Sequence, residues 1–147
     1  MKAKEWLQRG AAIEDPFDRF SNLWRGFNNL YANENGGSER NKIRHFLTNS
    51  VSEETASKII KTCNKDIAYL IQKPVNNMRG NGQTTQRDIT EFKAADSALG
   101  KLQAIIMIIY QIRCNFEHGQ KSPNREIDKK LCLHSSIIVE SILEQST

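Results

Sequence analysis

Three histidines occur in the 147 residues, each in a different chemical setting. His118 stands in Arg113-Cys114-Asn115-Phe116-Glu117-His118-Gly119, which is followed after one residue by Lys121-Ser122-Pro123. On a helix, Asn115 and His118 are three apart and share a face. Arg113 continues the row begun by Ile109, so its guanidinium lies at the edge of an apolar stripe. A cation there needs an anion or an acceptor, because burying it alone is costly. Glu117, four residues on, offers an ordinary intrahelical ion pair. A phosphate is the other candidate, since the planar fork of arginine matches it. In the first reading His118 merely offsets the negative end of a helix dipole. In the second it is a general acid–base group.

The remaining histidines carry less. His45 follows Arg40-Asn41-Lys42-Ile43-Arg44, a second Arg-to-His spacing. It reads as a solvated basic face that can touch phosphates. His134 is expected to pack at the edge of the last helix. No serine lies in a Gly-x-Ser-x-Gly turn and no glycine-rich phosphate loop occurs. No His and carboxylate pair has metal-ligand spacing. These absences argue against an acyl hydrolase, a nucleoside triphosphatase and a metalloenzyme, and no cofactor is expected.

Helices must position these groups. Residues 1–14 read as a loosely attached arm with Trp6 as anchor, and 15–147 as one helical domain. Asp15 is a good N-cap and Pro16 suits the first helical position. Phe17, Phe20, Leu23, Trp24, Phe27, Leu30 and Tyr31 then form a helical stripe. Ser38 can cap a short second helix through Ile43, Phe46 and Leu47. Ser50 with Glu53, or Ser52, can cap a third, whose stripe runs from Ala56 to Ile71 before Pro74 stops it. Lys73 to Gln86 is the linker, expected as a mobile loop. A long fourth helix runs from Asp88 or Asp96 to about Phe116. Its middle, Ile105 to Ile109, is apolar on every side, as at a bundle centre or a subunit seam. A last helix carries Leu131 to Leu143. The fold class predicted is all-α, an up-and-down bundle of four to five helices.

Composition sets outer limits. Hydrophobic residues make up 38%, and 21 basic residues against 17 acidic leave a net charge of +4, compatible with an anionic partner. The longest apolar run, Ala104 to Tyr110, is far short of a membrane span, which takes roughly 20 residues. No signal core opens the chain. Cys63, Cys114 and Cys132 fit no zinc pattern or disulfide framework and suit a reducing cytoplasm. Isoleucine occurs 16 times and nine of these follow Gly100, which concentrates the apolar surface around the fourth helix.

The run from Arg113 to His118, with Gly119 and Lys121-Ser122-Pro123 before a final helix, resembles the HEPN family. The bundle likeness extends from about Phe17 to Leu143. Many HEPN proteins are homodimeric, metal-independent endoribonucleases of toxin–antitoxin or phage-defence systems. Others are non-catalytic scaffolds that bind a protein partner or nucleic acid. The resemblance implies Arg113 as phosphate binder, His118 as general acid–base and Asn115 as orienting group. Cys114 occupies the place directly after the arginine where the family often has a polar residue. Position after the long helix and the Gly119 flank favour this pair over Arg40 and His45. Lys121, Arg125, Arg79 and Arg87 are the expected RNA contacts, and an antitoxin or other protein is a possible partner.

Such a site would use the 2′-hydroxyl of RNA as internal nucleophile. Imidazole takes its proton, imidazolium protonates the leaving oxygen, and arginine stabilises charge on phosphorus. One histidine does not readily serve both sides of one phosphorus, and residues five apart on an ideal helix point about 140° apart. A two-fold dimer would supply a second copy of each.

Overall fold

The computed structural model describes residues 2–78, 80–117, 122 and 124–147. It is all-helical, with eight helices among the described residues: α1 (Lys2–Ala11), α2 (Pro16–Tyr31), α3 (Glu39–Ser50), α4 (Glu53–Thr62), α5 (Asn64–Ile71), α6 (Gln86–Ala94), α7 (Ala98–Glu117) and α8 (Glu126–Ser146). The expected fold class is the observed one, and the larger helix count has local causes. The third predicted helix breaks at Cys63, whose backbone (φ −99°, ψ 20°) closes α4 and opens α5. Of the two starts expected for the fourth helix, Asp96 is the one near the observed start, because Ala95 is extended (ψ 133°) and separates α6 from α7.

The N-terminal segment is also helical. α1 packs on α2 and α8, with Ala3 and Gly10 buried. Close approach explains the small residues. A Cβ on Gly10 would lie 2.7 Å from two side-chain atoms of Leu23, and one on Gly26 would lie 3.0 Å from Cβ of Trp6. Larger side chains would push the two helices apart.

Three helix starts follow their local chemistry. Asp15 accepts from the Asp18 N–H (3.0 Å), Ser38 from Asn41 (3.2 Å) and Ser52 from Thr55 (3.1 Å). α7 combines a local cap with a remote group, for Ser97 Oγ accepts from the Gly100 N–H (3.0 Å). The carboxylate of Glu53 accepts from the N–H groups of Ala98 (2.8 Å) and Leu99 (2.9 Å). These bonds satisfy donors that a helix start leaves unpaired. They hold the Glu53 carboxyl below the usual carboxylate range. A carboxyl depressed in the folded state adds stability above its unfolded value, and that stability is lost as pH falls through the folded value. Glu53→Gln is therefore expected to lower the melting temperature at neutral pH. The gap to the parent protein should close as pH falls below about 4, and thermal melts across that range read it.

α7 is the central element. It packs against α3, α4, α5, α6 and α8. Ile105, Ile106, Met107, Ile108 and Ile109 are each at most 1% exposed within the single chain. The apolar middle of this helix is thus enclosed by its own fold and presents no seam. α2 covers one side with an aromatic run in which Trp24, Phe27 and Tyr31 stack edge to face at 5.1 Å per step. Cys63 and Cys132 are buried in this core, and burial pushes the Cys132 thiol up to about 12.

The linker is built more tightly than its composition suggests. Thr85 N–H donates to the Val75 carbonyl (3.0 Å), and Val75 N–H donates to Oγ1 of Thr85 (2.8 Å). Asn77 N–H donates to Gln83 (2.9 Å), and a lone antiparallel bridge pairs Asn76 with Thr84. These bonds tie residues 75–77 to residues 83–85 as the two sides of a hairpin-like loop. Among the described residues, no helix is long and apolar enough to cross a membrane.

Candidate functional site

Arg113 sits in the last turn of α7 with its side chain 24% exposed. Its guanidinium faces two carboxylates, Glu117 at 2.9 Å and Glu39 at 3.4 Å. It also lies over the Trp24 ring, 5.9 Å from the centroid. Burial alone would lower the guanidinium pKa. Glu39 and Glu117 outweigh burial and hold it above its ordinary value, so the group is a permanent cation.

Glu39 is the hub of this corner. It stands in the first turn of α3, where the helix dipole favours a carboxylate. Oε1 accepts the hydroxyl of Tyr31 and Oε2 that of Tyr110 (3.3 Å). Burial pushes both phenols well above their usual range, helped by Glu39 at Tyr31 and by Cys114 and then Glu39 at Tyr110. Both hydroxyls therefore remain protonated donors.

Beside Arg113 opens a cleft of about 190 Å³, lined by Phe17, Phe20, Ser21, Trp24, Arg25, Arg113, Phe116 and Glu117. Two guanidiniums and a hydroxyl border it. The Nε1 donor of Trp24 is buried and has no hydrogen-bond partner. Phe17 and Phe116 lie 4.9 Å apart, centroid to centroid, at the same cleft. The two guanidiniums and the Ser21 hydroxyl, between aromatic walls, suit an anion attached to a planar group that takes the place of Glu117 on Arg113.

Asn115 lies elsewhere. Two residues along an α-helix turn the side chain by about 200°, to the opposite face from Arg113. Asn115 is 2% exposed, and both ends of its amide are hydrogen-bonded. Its Oδ1 accepts from Met78 N–H (3.2 Å) and from Nε2 of Gln111 (2.9 Å), and its Nδ2 donates to the Asn76 carbonyl (2.9 Å). Asn115 thus clamps the 75–85 loop to the end of α7 and does not join Arg113 in one constellation within the chain.

The other predicted contacts are dispersed. Arg87 is exposed and lines a second cleft, with Arg40, Gln83, Thr84, Thr85, Asp88 and Gln111. Arg125 is exposed, lies 3.9 Å from Asp128, and lines a third cleft with Tyr69 and Lys73. His45 is exposed on α3, whereas Arg40 of the same run turns inward, its guanidinium 5.0 Å from the Tyr110 ring. His118, Lys121 and Arg79 fall outside the described residues.

His134 does more than pack at a helix edge. Its Nδ1 lies 2.7 Å from Oδ1 of Asp66, and its ring stacks on Tyr69 at 4.3 Å. The pair joins α8 to α5. Nothing local in the sequence marks it, because the partners are 68 residues apart. The same holds for Glu39, whose role is set by contacts to α2 and α7. Among the described residues, no three His, Cys, Asp or Glu side chains group as metal ligands. No family model matches the chain, and no match was found among curated proteins or solved structures.

Proposed function

We propose that the chain is a HEPN-like, metal-independent endoribonuclease that works as a homodimer in the cytoplasm, in a toxin–antitoxin or phage-defence setting. The observation that carries this reading is the donor-lined cleft at Arg113. A phosphate reaching Arg113 and Arg25 would meet two guanidiniums, with the attached base against Phe17, Trp24 or Phe116. Glu117 is 51% exposed and its ion pair with Arg113 is at the surface, so a phosphate can displace it at small cost. Glu39 stays behind the guanidinium and fixes its direction.

In this reading Arg113 binds the scissile phosphate and stabilises the charge that develops on it. His118, five residues on, exchanges the proton of the 2′-hydroxyl and of the leaving oxygen. The dimer supplies the second imidazole that the two-sided proton transfer needs. Asn115 acts at one remove, by holding residues 76–78 against the helix that carries Arg113.

The test is cleavage of single-stranded and structured RNA by the pure protein in excess chelator. Arg113→Ala and His118→Ala are each expected to lower the rate by about a hundredfold or more, the scale of removing a group that stabilises developing charge or transfers the proton. Cleavage that persists in both variants sinks the assignment. A second reading has its own support, the two carboxylates that already satisfy Arg113. It is a non-catalytic dimeric scaffold for a protein or nucleic acid, and it predicts no cleavage of any RNA by the parent protein.

A further inference from the structure

The second cleft holds a feature that the Arg113 chemistry does not use. It encloses about 190 Å³ between the N-terminal turn of α3, the end of the 75–85 loop, the start of α6 and the middle of α7. Asp88 lines it and is only 4% exposed. Its Oδ1 is buried with no hydrogen-bond partner. Among the described residues no hydrogen bond is made to the carboxylate, and its other oxygen, which meets the cleft, is open to a donor. The same cleft is lined by the guanidiniums of Arg40 and Arg87. Among the described residues, neither forms an ion pair with a carboxylate. Arg40 is held by the face of Tyr110 and by Sδ of Met107 at 3.6 Å. Burial pushes the Asp88 carboxyl up, while Arg40, Arg87 and Arg44 pull it back. The amide of Gln111 completes the wall.

An occupant must therefore bring negative charge for two guanidiniums and a hydrogen-bond donor for a carboxylate. A bare inorganic anion without a proton satisfies only the first. A nucleotide unit of RNA satisfies both, because its phosphate lies next to a ribose 2′-hydroxyl that DNA lacks. We propose that this cleft is a backbone subsite for one ribonucleotide, with the phosphate on Arg40 and Arg87 and the 2′-hydroxyl donated to Asp88. It rests on the reading of the chain as an RNA-binding protein, and it assigns to Asp88 the choice of RNA over DNA.

The two clefts are linked through one side chain of α7. Tyr110 stands between the two sites. Its hydroxyl reaches Glu39, which holds Arg113, and its ring face carries Arg40. Tyr110 and Arg113 are one turn apart on α7, roughly 4.5 Å along the axis.

The test is binding, read by fluorescence anisotropy at low temperature. Ten-nucleotide single strands of one sequence are compared as RNA, as DNA and as 2′-O-methyl RNA. The parent protein is expected to bind RNA about tenfold more tightly than either analogue, the scale of a hydrogen bond to a charged group. Asp88→Ala should bring the three affinities within about twofold. Asp88→Asn keeps the shape without the charge and should also reduce the preference, which guards against a folding defect in the alanine variant. Arg40→Gln and Arg87→Gln should weaken all three strands and flatten the salt dependence. An unchanged RNA preference in folded Asp88 variants overturns the proposal, as does equal binding of RNA and 2′-O-methyl RNA by the parent. Binding preference without cleavage overturns the nuclease reading and leaves this one standing. Cleavage together with an Asp88-independent preference does the reverse.

Discussion

Asn115→Ala is expected to destabilise the protein by about 3 kcal/mol, enough to lower its melting temperature by roughly 10 °C. The side chain makes three hydrogen bonds at a position that is 2% exposed. Alanine leaves the Asn76 carbonyl, the Met78 N–H and the Gln111 amide facing a hole. Each unpaired buried group costs on the order of 1–3 kcal/mol, and relaxation of the loop recovers part of the sum. Thermal and urea unfolding measure the loss. Two outcomes separate positioning from chemistry. A clamp predicts that limited proteolysis within residues 75–85 accelerates in step with the loss of stability. A group acting on the reacting atoms predicts normal stability and loop protection with lost cleavage.

The second large effect belongs to Glu39. Glu39→Ala removes the acceptor of two phenolic hydroxyls and one of the two carboxylates at Arg113. The Tyr31 hydroxyl suffers most, since the residue is 1% exposed and its partner cannot be replaced by bulk water. The expected cost is about 2–3 kcal/mol, with the ion-pair share small because Arg113 and Glu39 are 24% and 31% exposed. Glu39→Gln retains an acceptor for the hydroxyls and should recover more than half of that loss in urea unfolding. If the proposed activity holds, both variants also lower the rate of RNA cleavage, because Arg113 loses the group that aims it. Equal stability of Glu39→Ala and the parent would remove Glu39 from its place as hub.

Local chemistry made parts of this fold readable from residue order. Asp15-Pro16, Ser38 and Ser52 each cap a helix through a bond to an amide three residues on, so their signal needs no knowledge of the rest of the chain. The stripe of α2 was legible for the same reason. At the start of α7 the sequence left Asp88 and Asp96 open; the later start lies near the observed one, where Ser97 caps locally, while the second cap, from Glu53, is 45 positions away and has no local signal. The apolar middle of α7 was read correctly as buried, but sequence does not distinguish burial by one's own helices from burial by a second subunit. The candidate site divides along the same line. Arg113 with Glu117 is a local pair, legible from its i,i+4 spacing. Glu39, Asp88 and the turning away of Asn115 depend on tertiary neighbours and left no periodic trace.

The remote cap on α7 also has a kinetic meaning. The amides of Ala98 and Leu99 are held by a side chain of α4, not by their own helix. Their hydrogen exchange with solvent should therefore report whether α4 is docked, since any opening that lifts Glu53 away frees both protons at once. Two backbone amides in the first turn of a helix, where exchange is ordinarily fast, would then be protected in step with an element 45 residues upstream.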